Sequence, residues 1–166
     1  FNGIGHIKSI FEEPSPVVYV PLNSKYSIKL NDQSKEAEVA ICMSVASKRF
    51  QPFLMEPSGV KILRIGRDQW SREMRIILGD NVNGKVEKLI LGETITEAGK
   101  WSGYPPHRHQ EYNPPEELPF EEVYYYRFDR PQGFGIQVHY GSKSYPDSAY
   151  IIHDGDVFVI PDGYHP

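Results

Sequence analysis

The stretch Trp101-Ser102-Gly103-Tyr104-Pro105-Pro106-His107-Arg108-His109 decides how this chain is read. Two imidazoles stand there at i and i+2. In an extended strand side chains alternate with period 2, so His107 and His109 share one face. On a helix the same spacing splays them apart. Pro105 and Pro106 disfavour a helix just ahead of the pair. The pair is therefore expected on a strand, set to grip one metal ion when further ligands arrive from elsewhere. The candidates are Glu121 or Glu122 downstream and His165 near the end. Three imidazoles and one carboxylate suit Zn²⁺, Mn²⁺ or Fe²⁺. Alternation leaves the glutamate open: Val123 and Tyr125 share a face with Glu121, and Tyr124 and Tyr126 share the other with Glu122.

The 166 residues suffice for one sizeable core or one and a half small ones. Lys and Arg total 18 against 22 Asp and Glu, a net charge of −4, which gives no electrostatic ground for a nucleic-acid partner. No run reaches the ~18 apolar residues of a membrane-spanning helix, and no signal peptide is visible. No membrane partner is therefore expected. The first residue is Phe1 and the last three are Tyr164-His165-Pro166. The chain is accordingly expected to begin and end inside a longer protein. Cys42 is the single cysteine, so no disulfide forms within the chain, which fits a reducing, cytoplasmic compartment. It lies in an alternating apolar run and is expected to be a buried small hydrophobe rather than a nucleophile.

Fourteen Gly, 14 Pro, 11 Tyr and 8 Phe, with short β-branched runs between them, argue for an all-β architecture rich in turns. Strands are expected over 17–20, 26–30, 38–45, 60–65, 72–78, 86–97, 122–128, 134–140, 149–153 and 157–160. Residues 47–68, with Pro52, Pro57, Gly59 and Gly66, read as a connection between domains. Residues 80–84 read as a turn, and 110–120, with three prolines, as a loop. Pro131-Gln132-Gly133 should fold 122–128 onto 134–140. Asp154-Gly155 should do the same for the last two strands. No long helix is expected. His6, His139 and His153 read as ordinary surface or core histidines.

These motifs carry a resemblance. Gly103-x-x-x-His107-x-His109, Glu122 and Gly133, followed by Gly155-Asp156-x-x-x-x-Pro161-x-Gly163-x-His165, resemble the two metal-binding motifs of the cupin superfamily. Two departures point to one branch. Glu122 stands much further from His109 than in a generic cupin, and the second motif is one residue shorter. With the Pro114-Pro115-Glu116-Glu117 insertion, the run from Glu121 to Phe128 and the ending Gly163-Tyr164-His165-Pro166, the chain resembles the 5-deoxy-glucuronate isomerase family of myo-inositol catabolism. It is also similar to the related 5-keto-4-deoxyuronate isomerases, whose metal glutamate directly precedes a comparable tyrosine-bearing strand; that resemblance favours Glu122.

The resemblance implies a double-stranded β-helix, the cupin jelly-roll barrel, in a bicupin whose first barrel is incomplete here. Residues 1–46 would be the C-terminal part of a first, metal-free barrel. Residues 47–68 would connect it to a second barrel, 69–166, that carries the metal site and lacks its C-terminal strands. The implied activity is an aldose–ketose isomerisation, from 5-deoxy-glucuronate to 5-dehydro-2-deoxy-gluconate. One divalent metal ion, Zn or Mn before Fe, would be held by His107, His109, Glu122 and His165. Tyr124, Tyr126 and Gln137 are the catalytic candidates, from strand alternation with Glu122, and Arg108, Arg127 and Arg130 are candidates for the substrate carboxylate. The expected partners are a small sugar acid and further copies of the chain. Two rival readings use the same ligand set: an Fe²⁺ dioxygenase and a non-catalytic sugar-acid-binding cupin.

Overall fold

Short antiparallel strands make up almost all the regular structure. The computed structural model describes residues 1–32 and 35–166. Among the described residues there are nine strands, three single-turn 3-10 helices and no α-helix. The all-β expectation holds. The strands form one three-stranded and three two-stranded sheets, and they close no barrel among the described residues. The chain divides into two units: residues 1–65 with 72–95, and residues 66–71 with 96–166.

In the first unit, β1 (Val17–Tyr19) pairs with β2 (Phe53–Met55). β3 (Lys61–Ile65), β4 (Arg72–Leu78) and β5 (Leu91–Ile95) form an antiparallel meander. A bulge between Ile76 and Leu78 breaks the alternation of β4, so that the adjacent Ile77 and Leu78 are both buried. The Asn81 side chain secures the bulge. It accepts from the Gly79 N–H and donates to the carbonyls of Ile76 and Ile77. Ile77 and Leu78 join Val60 and Val82 in a small core, against which Val17, Phe53, Met55, Val86, Leu89 and Leu91 pack.

Arg75 lies beneath this sheet, its side chain only 3% exposed. Nε donates to Glu73, Nη1 to Glu93 and the Ile10 carbonyl, and Nη2 to the Phe11 carbonyl. One buried cation thus satisfies two part-buried carboxylates and ties residues 10–11 to the sheet. Arg75→Met should destabilise the unit by about 2–4 kcal/mol, because those acceptors lose their donor while staying covered. Thermal or urea unfolding reads this directly, and a loss under ~0.5 kcal/mol, the level of a neutral surface change, would contradict it.

Three expected features of this unit are corrected. Residues 26–30 and 38–45 form no strand, and Val39, Ile41, Met43 and Val45 are exposed. Alternation marks a segment able to pair, but no described strand lies alongside to supply the ladder. Cys42 is consequently exposed rather than buried. The long strand over 86–97 shrinks to β5, since Val86 and Leu89 reach the core from a bent segment. Phe53–Met55 forms a strand although Pro52 and Pro57 flank it, since an edge position tolerates such neighbours.

In the second unit, β6 (Glu122–Tyr125) pairs with β9 (Val157–Ile160), and β7 (Gly135–His139) with β8 (Ser148–Ile152). Both expected hairpins are therefore wrong, since neither β6–β7 nor β8–β9 is paired. The reason lies at Asp154-Gly155. Gly155 N–H donates to Tyr126 O and Tyr126 N–H to Asp156 O, while the Asp154 carboxylate takes the Phe128 N–H and the Arg127 guanidinium. The turn extends the β6–β9 ladder instead of folding β8 onto β9. The outcome is a nested arrangement, with β7–β8 as the inner pair and β6–β9 as the outer one.

Candidate metal centre

His107 and His165 face each other across an isolated antiparallel bridge, each N–H donating to the other's carbonyl at 2.9 Å. Residues so paired stand directly opposite and project their side chains to one face. Their rings lie 4.6 Å apart. His109 joins the same group, its ring 4.9 Å from His107 and 5.4 Å from His165. The expected strand under the pair is reduced to this single bridge, which is enough to set the two partners side by side.

The glutamate that alternation left open is resolved by burial. Along 121–126 the pattern runs exposed, inward, exposed, inward, exposed, inward, so Glu122, Tyr124 and Tyr126 turn in while Glu121 stays out. Oε2 of Glu122 lies 3.0 Å from His165 Nε2 and 3.4 Å from His109 Nε2. One donor atom from each of His107, His109, Glu122 and His165 lies within 4.8 Å of all the others. Ligands at about 2.1 Å from one ion sit roughly 3–4.2 Å apart, so the set needs only slight closure to hold a metal.

The outer nitrogens orient the rings. His107 Nδ1 faces the Gly103 carbonyl at 3.2 Å, and His165 Nδ1 faces the Gly163 carbonyl at 3.1 Å. A carbonyl only accepts, so Nδ1 donates in each ring, which leaves Nε2 as the nitrogen turned toward the cluster. Gly103 is required by close approach: φ is +53°, and a Cβ there would meet the Pro166 carbonyl carbon at 2.2 Å.

Electrostatics favour metal-ready forms. Burial holds the pKa of His107 below the ordinary imidazole value, with a smaller contribution from His165. Burial does the same for His109, against the opposing pull of Glu122. For Glu122, burial alone would raise the pKa, but the His165 hydrogen bond and the charges of His165 and His109 outweigh it and bring it below the carboxylate norm. Neutral imidazoles and an ionised carboxylate are the forms that bind a divalent cation.

The other candidate residues lie close by. Tyr124 hydrogen-bonds Glu122, and its ring is 6.1 Å from that of His165. Tyr126 donates its hydroxyl to Oε1 of the buried Gln137, whose Nε2 donates to the Val138 carbonyl. Burial, aided by the Glu122 charge, pushes the Tyr126 phenol well above its ordinary pKa, so it stays protonated. Two of the three candidate arginines are engaged elsewhere. Arg108 pairs with Glu117 and Glu111 and covers the Tyr164 ring, and Arg127 pairs with Asp154. Arg130 is exposed. A cavity of about 420 Å³ opens beside His109, bordered by Phe120, Gln110 and Lys143 among others. The His109 ring stacks on Phe120 at 3.7 Å. His139, read from the sequence as an ordinary histidine, is buried, with Nε2 at 2.6 Å from the Asp162 carbonyl. No sequence pattern marked it, because its partner is a backbone atom of a distant turn.

The KduI/IolB family model matches residues 1–166. The 5-deoxy-glucuronate isomerase of Shouchella clausii (strain KSM-K16) is 36% identical to the chain over 167 aligned positions, spanning 100% of the chain and 60% of that protein. The 5-deoxy-glucuronate isomerase of Bacillus subtilis (strain 168) is 33% identical over the same shares. The chain thus spans about 60% of the length of the curated relatives it matches. The crystal structure of an IolB-like protein from Salmonella typhimurium LT2 superposes with a TM-score of 0.65 at 31% identity, covering 72% of this chain and 44% of that one.

Proposed function

The chain belongs to the KduI/IolB family, and from that premise we propose that it carries the metal site of an isomerase that takes 5-deoxy-glucuronate to 5-dehydro-2-deoxy-gluconate. The observation that carries the reading is the convergence of His107, His109, Glu122 and His165 on one point. The relatives' names supply the substrate class. The nested pairing of β6–β9 around β7–β8 supports a cupin jelly roll around the ligand cluster; the same reading assigns 69–166 to that barrel, 1–46 to the C-terminal part of a first, metal-free barrel and 47–68 to the connection. With this reading go a cytoplasmic location, a homo-oligomer and a sugar-acid substrate.

The reaction is redox-neutral. Hydrogen moves between C2 and C1 as the aldehyde becomes an alcohol and the C2 hydroxyl becomes a ketone. His107, His109, Glu122 and His165 would hold a divalent ion, Zn or Mn before Fe, which when bound supplies Lewis acidity toward the substrate's oxygens. Tyr124 orients the Glu122 carboxylate through its hydrogen bond. Tyr126, held protonated and bonded to Gln137, is a donor and not a base at neutral pH. The cavity beside His109 offers a place for the sugar chain next to the ligand cluster.

The test combines metal analysis of the purified protein with isomerase assays on 5-deoxy-glucuronate and 5-keto-4-deoxyuronate. Stoichiometric metal and turnover of the first substrate are expected. Oxygen uptake with either substrate would instead favour a dioxygenase, and binding without turnover a sugar-acid-binding module.

A further inference from the structure

His165 is the last ligand in the chain, and its place depends on the turn just before it. Residues 162–164 are each held by the segment 139–144. The Asp162 carbonyl accepts from the buried His139 ring at 2.6 Å. The Asp162 carboxylate accepts from Ser142 Oγ, from Ser144 Oγ at 3.2 Å and from the Lys143 N–H at 3.3 Å. Gly163 packs so closely that a Cβ there would meet His139 Nε2 at 2.8 Å. Tyr164 exchanges both backbone hydrogen bonds with Tyr140, at 3.1 and 2.7 Å, and the two rings stack. The next residue, His165, exchanges both of its own with His107.

We infer that His139 is a positioning residue for the metal centre, acting through the Asp162 carbonyl to set the turn from which His165 projects. Most of this grip is backbone to backbone or lies at the rim, where Ser142, Ser144 and Lys143 reach the carboxylate. The His139 bond differs, because its ring is buried and is a side chain that a substitution can change. A part-buried carbonyl that loses its donor draws the turn toward another partner. The His165 ring is anchored to that turn through Nδ1 and the Gly163 carbonyl, so it would move with it. Groups behind metal ligands commonly cost 10–100-fold in affinity when removed.

The inference rests on the metal reading above, and its test separates the two. Co²⁺ affinity and the visible absorption bands of bound Co²⁺ are measured on the full chain and on two variants. His139→Phe keeps an aromatic ring against Phe158, which the His139 ring meets edge-on at 5.9 Å, but has no donor. His139→Gln keeps an N–H near the place of Nε2. The Phe variant should bind Co²⁺ about tenfold more weakly or worse, with altered bands, and the Gln variant should recover most of the loss. Unchanged affinity in folded His139→Phe, or equal losses in both variants, would overturn the inference alone. Should the Phe variant fail to fold, His139→Asn, whose shorter side chain draws its N–H away from the Asp162 carbonyl, should bind Co²⁺ about threefold more weakly than His139→Gln; equal values would again overturn the inference. Absence of Co²⁺ binding by the unsubstituted chain would overturn the metal reading, and this inference with it.

Discussion

His165→Ala should leave the protein unable to retain a divalent metal at neutral pH and without isomerase activity. Four protein ligands together supply on the order of 10–16 kcal/mol for a tightly held Zn²⁺. One quarter of that is about 2.5–4 kcal/mol, or roughly 10²–10³-fold in affinity. The loss exceeds that of a rim ligand because His165 is fully buried, so no water takes over its position at low cost. A second consequence appears in the metal-free protein. Glu122 owes its low pKa to the His165 hydrogen bond and to the charges of His165 and His109, working against burial. Without His165, burial wins a larger share and the pKa rises. A carbon-detected titration of the Glu122 carboxyl reads that direction, and chelator competition with Zn²⁺ reads the affinity. A variant that bound metal as tightly as the parent would remove His165 from the ligand set.

Gly163→Ala should disrupt the same site without touching a ligand. Gly163 has φ of +93°, a conformation an L side chain adopts only with strain. The added Cβ would also come within 2.8 Å of His139 Nε2, 3.0 Å of Ser142 Cβ and 3.1 Å of the Tyr140 carbonyl. The last of these is backbone in a paired segment and yields little. Together the two effects should cost about 2–4 kcal/mol and weaken metal binding at least tenfold as the turn carrying His165 shifts. Gly155→Ala is the matched comparison. Its φ of +85° imposes similar strain, but nothing lies within 4 Å of the new Cβ. It should cost about 1–2 kcal/mol and leave metal affinity near the parent's. Similar affinity losses in the two variants would show that the close approach at Gly163 is irrelevant to the site.

Local pattern carried much of the second unit. Alternation and proline placed β6, β7, β8 and β9 within a few residues of their observed bounds. The spacing of His107 and His109 announced a shared face. Local pattern misled where a strand needs a neighbour. Residues 38–45 alternate as well as any in the chain, yet Met43 and Val45 are exposed, because pairing depends on what lies alongside. The same limit applies to hairpins. Asp154-Gly155 is a strong turn signal, but whether a turn folds its own flanking strands together or closes a ladder with a distant one is set by competition among partners. Here Tyr126 supplied the winning contacts.

By itself, the sequence determined which residue types were available to a metal, the face shared by the His-x-His pair, and the all-β character, since these follow from side-chain chemistry and the short period of an extended chain. Local pattern left Glu121 and Glu122 open and only the resemblance favoured Glu122; tertiary structure turns Glu122 inward, brings His165 opposite His107, and sets His139 against the turn that precedes His165. Each of those is a contact between positions far apart in the chain. Such contacts arise from the pairing of whole strands, and no local periodicity encodes which strands will meet.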